Sequence, residues 1–412
     1  MLLDGLLRHM VREGTLTVVG ADGRRSTYGD GGPPRCTIRL ADKAIERWVL
    51  VNPTLRVGEA YMDGRIDVVD GSLRDFLAIL LNNKDRLLQH RAGAPTRLLQ
   101  HLERRVKQHN PVHRARRNVA HHYDLSGALY ELFLDRDRQY SCGYFENAND
   151  DLEAAQHKKK RHIAAKLLLD RRGLKVLDIG SGWGGLGIYL AGLGDVDVTG
   201  VTLSTEQHRE SQRRAEAAGL DRRCRFHLRD YREERGPYDR IVSVGMFEHV
   251  GRRNYQEFFD TVRGLLADDG VCLLHSIGRF DEPGPINPFI RKYIFPGADL
   301  PALSEVFTAV ERSGLRVTDV EILRLHYAET LRHWFERVQA NRGAIAELYD
   351  ERFCRMWEMY LAGCEMGFRH RGLMVFQMQL ARRQDAVPLT RDYIVDRERT
   401  EAAGPTARSA AE

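Results

Sequence analysis

The 412-residue chain is 42% hydrophobic and 29% charged, and its 63 Lys and Arg outnumber 58 Asp and Glu for a net charge of +5. That length supports two sizeable cores and the composition is globular; no run of about 18 apolar residues is present, which excludes a membrane-spanning helix. Six scattered cysteines without a CxxC pair exclude a disulfide framework and a zinc site, so no metal is expected, and the first residues lack a signal-peptide pattern, so a cytoplasmic location is expected.

Residues 1–100 read as a small α+β domain. Strands are expected at 15–19 and 24–28 around the turn Gly20-Ala21-Asp22-Gly23, then at 36–40, with a helix at 73–81. A connector follows, with a basic linker at 101–117. Residues 118–395 alternate strand and helix. Strands are expected at 176–179, 196–201, 224–228, 238–244, 271–275, 315–322 and 373–381, and helices at 152–169, 186–193, 206–218, 254–266, 303–313, 328–341 and 347–367. This alternation implies an α/β fold with a largely parallel, helix-covered sheet. A Pro- and Gly-rich insertion at 279–300 interrupts it, and 396–412 reads as a disordered tail. Two basic stretches, 97–117 and Lys158-Lys159-Lys160-Arg161, are candidates to meet phosphate on a lipid surface.

The strand at 176–179 carries Asp178 and runs into Gly180-Ser181-Gly182-Trp183-Gly184-Gly185. Glycines there let backbone approach a ligand at the start of a helix. Gly180, Gly182 and Gly185 also fit GxGxxG, the dinucleotide pattern, which needs an acid at the end of the second strand. Here that strand ends in Thr202-Leu203-Ser204, with no carboxylate. Other chemistry-bearing residues fall at expected strand ends: Asp230-Tyr231, Glu248 and His275. Ligands bind at those ends in parallel sheets.

The segments YDLS, YSCGYF, VLDIGSGWGG, VTLSTEQ, GMFEHVG, LLHSIG, YIFPGADLPALSE and YLAGCEMGF span residues 118–382 in one order. Together they resemble the cyclopropane-fatty-acyl-phospholipid synthase family, with its relatives that modify mycolic acids. LRVGEAYMDG resembles that family's smaller lipid-associated domain. The resemblance implies a Rossmann-like class I S-adenosylmethionine methyltransferase with a seven-stranded sheet. It implies transfer of a methylene to the cis double bond of an unsaturated phospholipid acyl chain, through a carbocation deprotonated by bound bicarbonate. It also implies peripheral association with the inner membrane face and a homodimer.

By residue match, the resemblance places Tyr140, Ser141, Asp178, Gly180, Ser181, Gly182, Thr202, Leu203, Ser204, Gln207, Asp230 and Tyr231 at S-adenosylmethionine. Asp230 would cap the adenine amino group and Tyr231 stack on the ring. Cys142, Glu248, His275, the Ile277 backbone and Tyr327 would hold bicarbonate. Cys364 matches a cysteine proposed as a nucleophile, a role the chemistry does not require. The rival outcomes are a methyl-branched or methylene product and an inactive lipid-binding relative. A nucleic-acid methyltransferase is disfavoured, because Gly245-Met246-Phe247-Glu248 stands where its Pro-Pro-Tyr or Pro-Cys motif belongs; no nucleic-acid partner is expected.

Overall fold

The computed structural model describes residues 3–89 and 126–402. The expected linker at 101–117, Tyr123 to Leu125 of YDLS, and residues 403–412 lie outside them.

The first unit contains α1 (Asp4–Met10), β1 (Thr15–Val19), β2 (Arg25–Gly29), β3 (Arg35–Leu40), α2 (Ala44–Val51), α3 (Pro53–Met62), β4 (Ile66–Asp70), α4 (Leu73–Asn82) and α5 (Lys84–Gln89). Its sheet has the order β2-β1-β3-β4, with β1 and β3 parallel. The hairpin closes because Gly29 takes φ +110, where an added Cβ would meet the Gly14 carbonyl at 1.8 Å. Helix α4 starts on a capping box: the Asp75 N–H donates to Ser72 Oγ at 3.1 Å and the Ser72 N–H to Asp75 Oδ2 at 3.0 Å. Strand β4 was not foreseen. It is a five-residue edge strand with acids at Asp67 and Asp70, so its apolar alternation is short.

The second unit runs α6 (Gly127–Phe133), α7 (Leu152–Lys166), β5 (Leu174–Ile179), α8 (Gly185–Gly192), β6 (Val196–Thr202), α9 (Thr205–Ala217), β7 (Cys224–Leu228), β8 (Tyr238–Val244), α10 (Tyr255–Leu265), β9 (Leu266–Arg279), α11 (Pro288–Tyr293), α12 (Leu303–Ser313), β10 (Arg316–Ile322), α13 (His326–Ala340), α14 (Arg342–Leu348), α15 (Glu351–His370), β11 (Leu373–Ala381) and α16 (Asp392–Ala402). The seven-stranded sheet has the order β10-β11-β9-β8-β5-β6-β7. Neighbours from β9 to β7 are parallel, while β11 is antiparallel to both β9 and β10. The chain leaves β5 toward β6 and later returns to its other side with β8, so the strand order reverses there. That switch point opens a crevice at the carboxyl ends of the strands.

The two units share a core. Phe289, Met359, Ala362 and Met366 of the second pack into the apolar cluster of the first. Helix α15 is the bridge: Glu358 Oε2 accepts from Tyr61 Oη at 2.9 Å, Glu365 Oε2 from Arg74 Nε at 2.7 Å, and Arg355 donates to Asp67 at 2.8 Å.

Two expectations are corrected. Residues 396–402, read as part of a disordered tail, are helical in α16, where Glu398 Oε1 lies 2.7 Å from His162 Nδ1 and Glu401 accepts from the Tyr189 hydroxyl. The Gly-, Pro- and Ala-rich end masked these partners, which come from distant helices. The block 158–161 is not a free basic patch. Lys158 pairs with Asp150 at 2.8 Å, Lys160 with Asp137 at 2.5 Å and Arg161 with Glu146, while Lys159 is fully buried. Internal acids neutralise the charges that the sequence suggested for a membrane.

Candidate active site

The glycine turn between β5 and α8 carries φ +82 at Gly180, +55 at Gly182 and +82 at Gly184. Added Cβ atoms would lie 2.8 Å from Met246 at Gly180 and 2.7 Å from Phe226 at Gly184, so these two positions need glycine on both counts. The turn borders a cavity of about 160 Å³, also lined by Tyr140, Ser141, Asp178, Ser181, Thr202, Leu203, Gln207, Asp230 and Tyr231. Buried Asp178 Oδ2 and Ser181 Oγ have no hydrogen-bond partner among the described residues. Burial pushes the Asp178 carboxyl up to about 7, against the pull of Lys159. Polar atoms stranded this way suit an occupant rich in donors and acceptors, such as an aminoacyl nucleoside.

Two expected contacts differ in detail. Ser204 does not line the cavity; its Oγ accepts from the Gln207 N–H at 3.3 Å and caps α9. Asp230 lines it, but both carboxylate oxygens are held by Arg232 at 2.8 Å, which limits what Asp230 can offer an adenine. Lys159 was missed as a site residue. Its ammonium donates to Ser141 Oγ and Gln139 Oε1, each at 2.7 Å, and burial lowers its pKa to about 8. With Ser141 Oγ accepting from Lys159, its own hydrogen is left to point elsewhere.

A second cavity, of about 390 Å³ and mostly apolar, reaches from Leu16, Ile38 and Phe76 in the first unit to Cys142, Glu248, His275, Ile277, Tyr327 and Cys364. The two cavities share Tyr140, Ser141, Gly245 and His249 as lining. The two cavities therefore adjoin at this wall, so a reactive group in the first would lie next to a chain in the second. Burial lowers the His249 pKa to about 4, so this wall is uncharged.

Glu248 stands in a 3-10 turn, Phe247–His249, after β8. Its Oε1 accepts the Ile277 N–H at 2.6 Å, whereas buried Oε2 accepts no hydrogen bond of good geometry among the described residues, although the Ser276 hydroxyl lies close enough to ease the carboxylate's charge. Burial pushes this carboxyl up to about 7. The Ile277 N–H, expected to hold the anion, is thus already engaged by Glu248.

His275 lies opposite Gln377 in the β9–β11 register, with both side chains on one face. Lys166 Nζ donates to Gln377 Oε1 at 2.8 Å, which orients the amide, and Gln377 Nε2 lies 3.1 Å from His275 Nδ1. Burial, then the nearby Lys159 and Lys166 charges, hold the imidazole pKa well below its ordinary value. A neutral ring accepting at Nδ1 carries its proton on Nε2. The chain continues outward: Glu321 accepts from Lys166, and its Oε2 lies 2.7 Å from His162 Nε2. Two glutamines in an otherwise apolar β11, Gln377 and Gln379, were the sequence signal for this network.

Cys142 donates to the Gly143 carbonyl at 3.3 Å, and burial holds its thiol well above the ordinary range. Burial pushes the Cys364 thiol up to about 12. Neither is a thiolate at neutral pH.

A family model described as mycolic acid cyclopropane synthetase matches residues 110–378, and one described as a domain of unknown function matches 2–92. The chain is 38% identical over 363 residues to the cyclopropane-fatty-acyl-phospholipid synthase of Escherichia coli K12, covering 87% of this chain and 91% of that protein. It is 36% identical over 349 residues to a probable fatty acid methyltransferase of Pseudomonas putida, covering 82% and 85%. The crystal structure of mycolic acid cyclopropane synthase CmaA1 complexed with SAH and CTAB superposes with a TM-score of 0.62 at 36% identity, over 66% of this chain and 99% of that one. With the methyltransferase sheet, the glycine turn and these matches in agreement, the chain belongs to the mycolic acid cyclopropane synthetase family of S-adenosylmethionine-dependent methyltransferases.

Proposed function

We propose that this protein is a cyclopropane-fatty-acyl-phospholipid synthase. It transfers a methylene from S-adenosylmethionine to the cis double bond of an unsaturated phospholipid acyl chain, through a carbocation deprotonated by bicarbonate. The observation that carries this reading is the adjacency of the two cavities: a polar, glycine-walled pocket and an apolar one holding Glu248 and His275 share Tyr140, Ser141, Gly245 and His249 as lining.

Bound S-adenosylmethionine supplies an electrophilic methyl, and bound bicarbonate a base. The protein's own residues do the rest. Tyr140, Ser141, Asp178, the glycine turn, Thr202 and Gln207 hold the methyl donor. Tyr140 is itself steadied by a 2.8 Å hydrogen bond to Tyr360. The apolar walls keep water from a cationic acyl chain, which water would quench. The donors and acceptors present fit the anion: Nε2–H of His275 would donate to it, and Oε2 of Glu248, which accepts no hydrogen bond of good geometry among the described residues, would accept its hydroxyl proton. Tyr327 and Cys142 complete the enclosure. Since the Ile277 N–H is spent on Glu248, Ile277 acts by fixing that carboxylate. Cys364 serves as wall, not nucleophile.

Among the described residues no helix is long and apolar enough to cross a membrane. Chains in a bilayer must therefore be reached from its surface, and peripheral attachment to the inner face, as a homodimer, completes the proposal. The test is incubation with S-adenosylmethionine and vesicles of unsaturated phosphatidylglycerol and phosphatidylethanolamine, followed by mass and NMR analysis of the fatty acids. The gain of one CH₂ unit with cyclopropane ring protons is expected; no gain refutes the proposal. The similarity to a probable fatty acid methyltransferase motivates a second reading, in which the same cation loses a proton from an adjacent chain carbon and ends as a methyl-branched alkene, or after a 1,2-hydride shift loses it from the new methyl and ends as a methylene. A CH₂ gain without ring protons selects it.

A further inference from the structure

The apolar cavity is lined by charged side chains besides the catalytic groups. Lys84, Arg279, Asp281 and Arg371 all line it. Resting on the reading above that a phospholipid is the substrate, we propose that Lys84, Arg279 and Arg371 form the binding site for the phosphodiester of its headgroup.

Two independent elements run from the reaction site to these cations. On β9, His275, Ile277 and Arg279 alternate onto one face and all line the cavity, so Arg279 lies about 13 Å along the strand from His275. On the other wall, Cys364, Gly367 and Phe368 of α15 line the same cavity, and Arg371 follows Cys364 at helical spacing, about 10 Å on. A charged group at one end and a double bond at the other are thus separated by a distance suited to the middle of a long acyl chain.

Lys84 is the cation at this end that its described neighbours leave without an acid. Arg371 is held by Asp85 through two hydrogen bonds of 2.7 and 3.0 Å. Arg279 donates from Nε to the Leu300 carbonyl at 3.2 Å and from Nη2 to the Pro285 carbonyl at 3.4 Å, which holds its guanidinium at the cavity wall. Lys84 makes no ion pair among the described residues. Its pKa is lowered by burial and then by the Arg371 charge, with Arg279 adding and Asp85 and Asp281 opposing. Among the described residues, Lys84 is thus a half-buried ammonium beside the Arg371 and Arg279 guanidinium groups, with Asp85 already paired to Arg371. A phosphodiester relieves that repulsion and takes charge-assisted hydrogen bonds from all three. Nothing in an acyl chain alone calls for them. The site also supplies what the neutralised block at 158–161 does not, a cationic group continuous with the acyl cavity.

Lys84→Gln is the discriminating variant, because it holds no other described group and lies outside the catalytic machinery. Binding of dioctanoylphosphatidylglycerol, saturated and hence unreactive, is measured below its micelle concentration against dioctanoylglycerol, which lacks the phosphate. The wild type is expected to bind the phospholipid more tightly, and Lys84→Gln to lose about tenfold of that affinity, the worth of one charge-assisted hydrogen bond, with no change for the diacylglycerol. Inorganic phosphate is tested alone as competitor. Displacement at equal concentration would assign the site to free phosphate and overturn the lipid assignment. Equal losses for both lipids, or none, would also overturn it. Because the probes cannot react, failure here is separate from failure of the proposed reaction, which the vesicle assay reads.

Discussion

Gln377→Glu changes one atom's chemistry at the back of His275. In the native protein the amide, oriented by Lys166, donates to Nδ1 and leaves the proton on Nε2, facing the cavity. A carboxylate of the same shape keeps Lys166 paired but can only accept, so it draws the imidazole proton to Nδ1 and presents a bare Nε2. The lost donation to a bound anion is worth about 1.5–3 kcal/mol, or about 10- to 150-fold in kcat. The carboxylate also raises the depressed His275 pKa. Acidification then forms an imidazolium, which donates from both nitrogens, so the ratio of variant to wild-type kcat should rise as pH falls. Measuring the ratio cancels the protonation of Glu248 common to both. Affinity for S-adenosylmethionine should not move, and ¹⁵N spectra of labelled histidine should show Nε2–H in the wild type and Nδ1–H in the variant at neutral pH. A loss that is equal at every pH, or wild-type turnover, refutes the reasoning; inactivity of His275→Ala separately tests whether His275 matters at all.

Three further outcomes are expected. Glu248→Gln should abolish most turnover yet stabilise the protein at alkaline pH. The folded carboxyl titrates at about 7 against an ordinary 4.5, so its contribution is present below 4.5 and lost as pH rises through 7. The difference corresponds to at most about 3 kcal/mol, read as a Tm that exceeds the wild type at pH 8 but matches it near pH 4. Gly184→Ala should lower Tm and weaken S-adenosylmethionine binding in calorimetry, because φ +82 and a 2.7 Å approach to Phe226 together cost about 2–5 kcal/mol; unchanged binding would mean that the turn tolerates a side chain. Cys364→Ser should keep most of its turnover, since a thiol held at about 12 is not ionised at neutral pH. Complete loss with intact cofactor binding would restore a nucleophilic role.

The seven strands of the large sheet were legible because each is a short apolar run closed by turn residues, and β7, β8 and β11 begin and end where the pattern places them. The glycine turn was legible for the same reason: backbone that must adopt positive φ against packed side chains leaves a local mark. Strand β4 was too short and too acidic to stand out, and the interactions of α16 depend on His162 and Tyr189, more than two hundred residues away.

Local periodicity and the rule that ligands bind at the carboxyl ends of parallel strands were enough for the layered sheet, the cofactor turn and Glu248 after β8; His275, expected to close its strand, lies inside β9, which runs on to Arg279 because β11 continues to pair with it. What each charge faces is set by packing in three dimensions. Lys158 to Arg161 look like a membrane patch in one dimension and are an internally neutralised helix in three. Gln377 is an unremarked strand residue until pairing sets it across from His275. Lys84, Arg279 and Arg371, from three separate segments, become one cationic group only when the first unit docks on α15. Periodicity is a property of neighbours along the chain, whereas a buried charge is governed by neighbours in space.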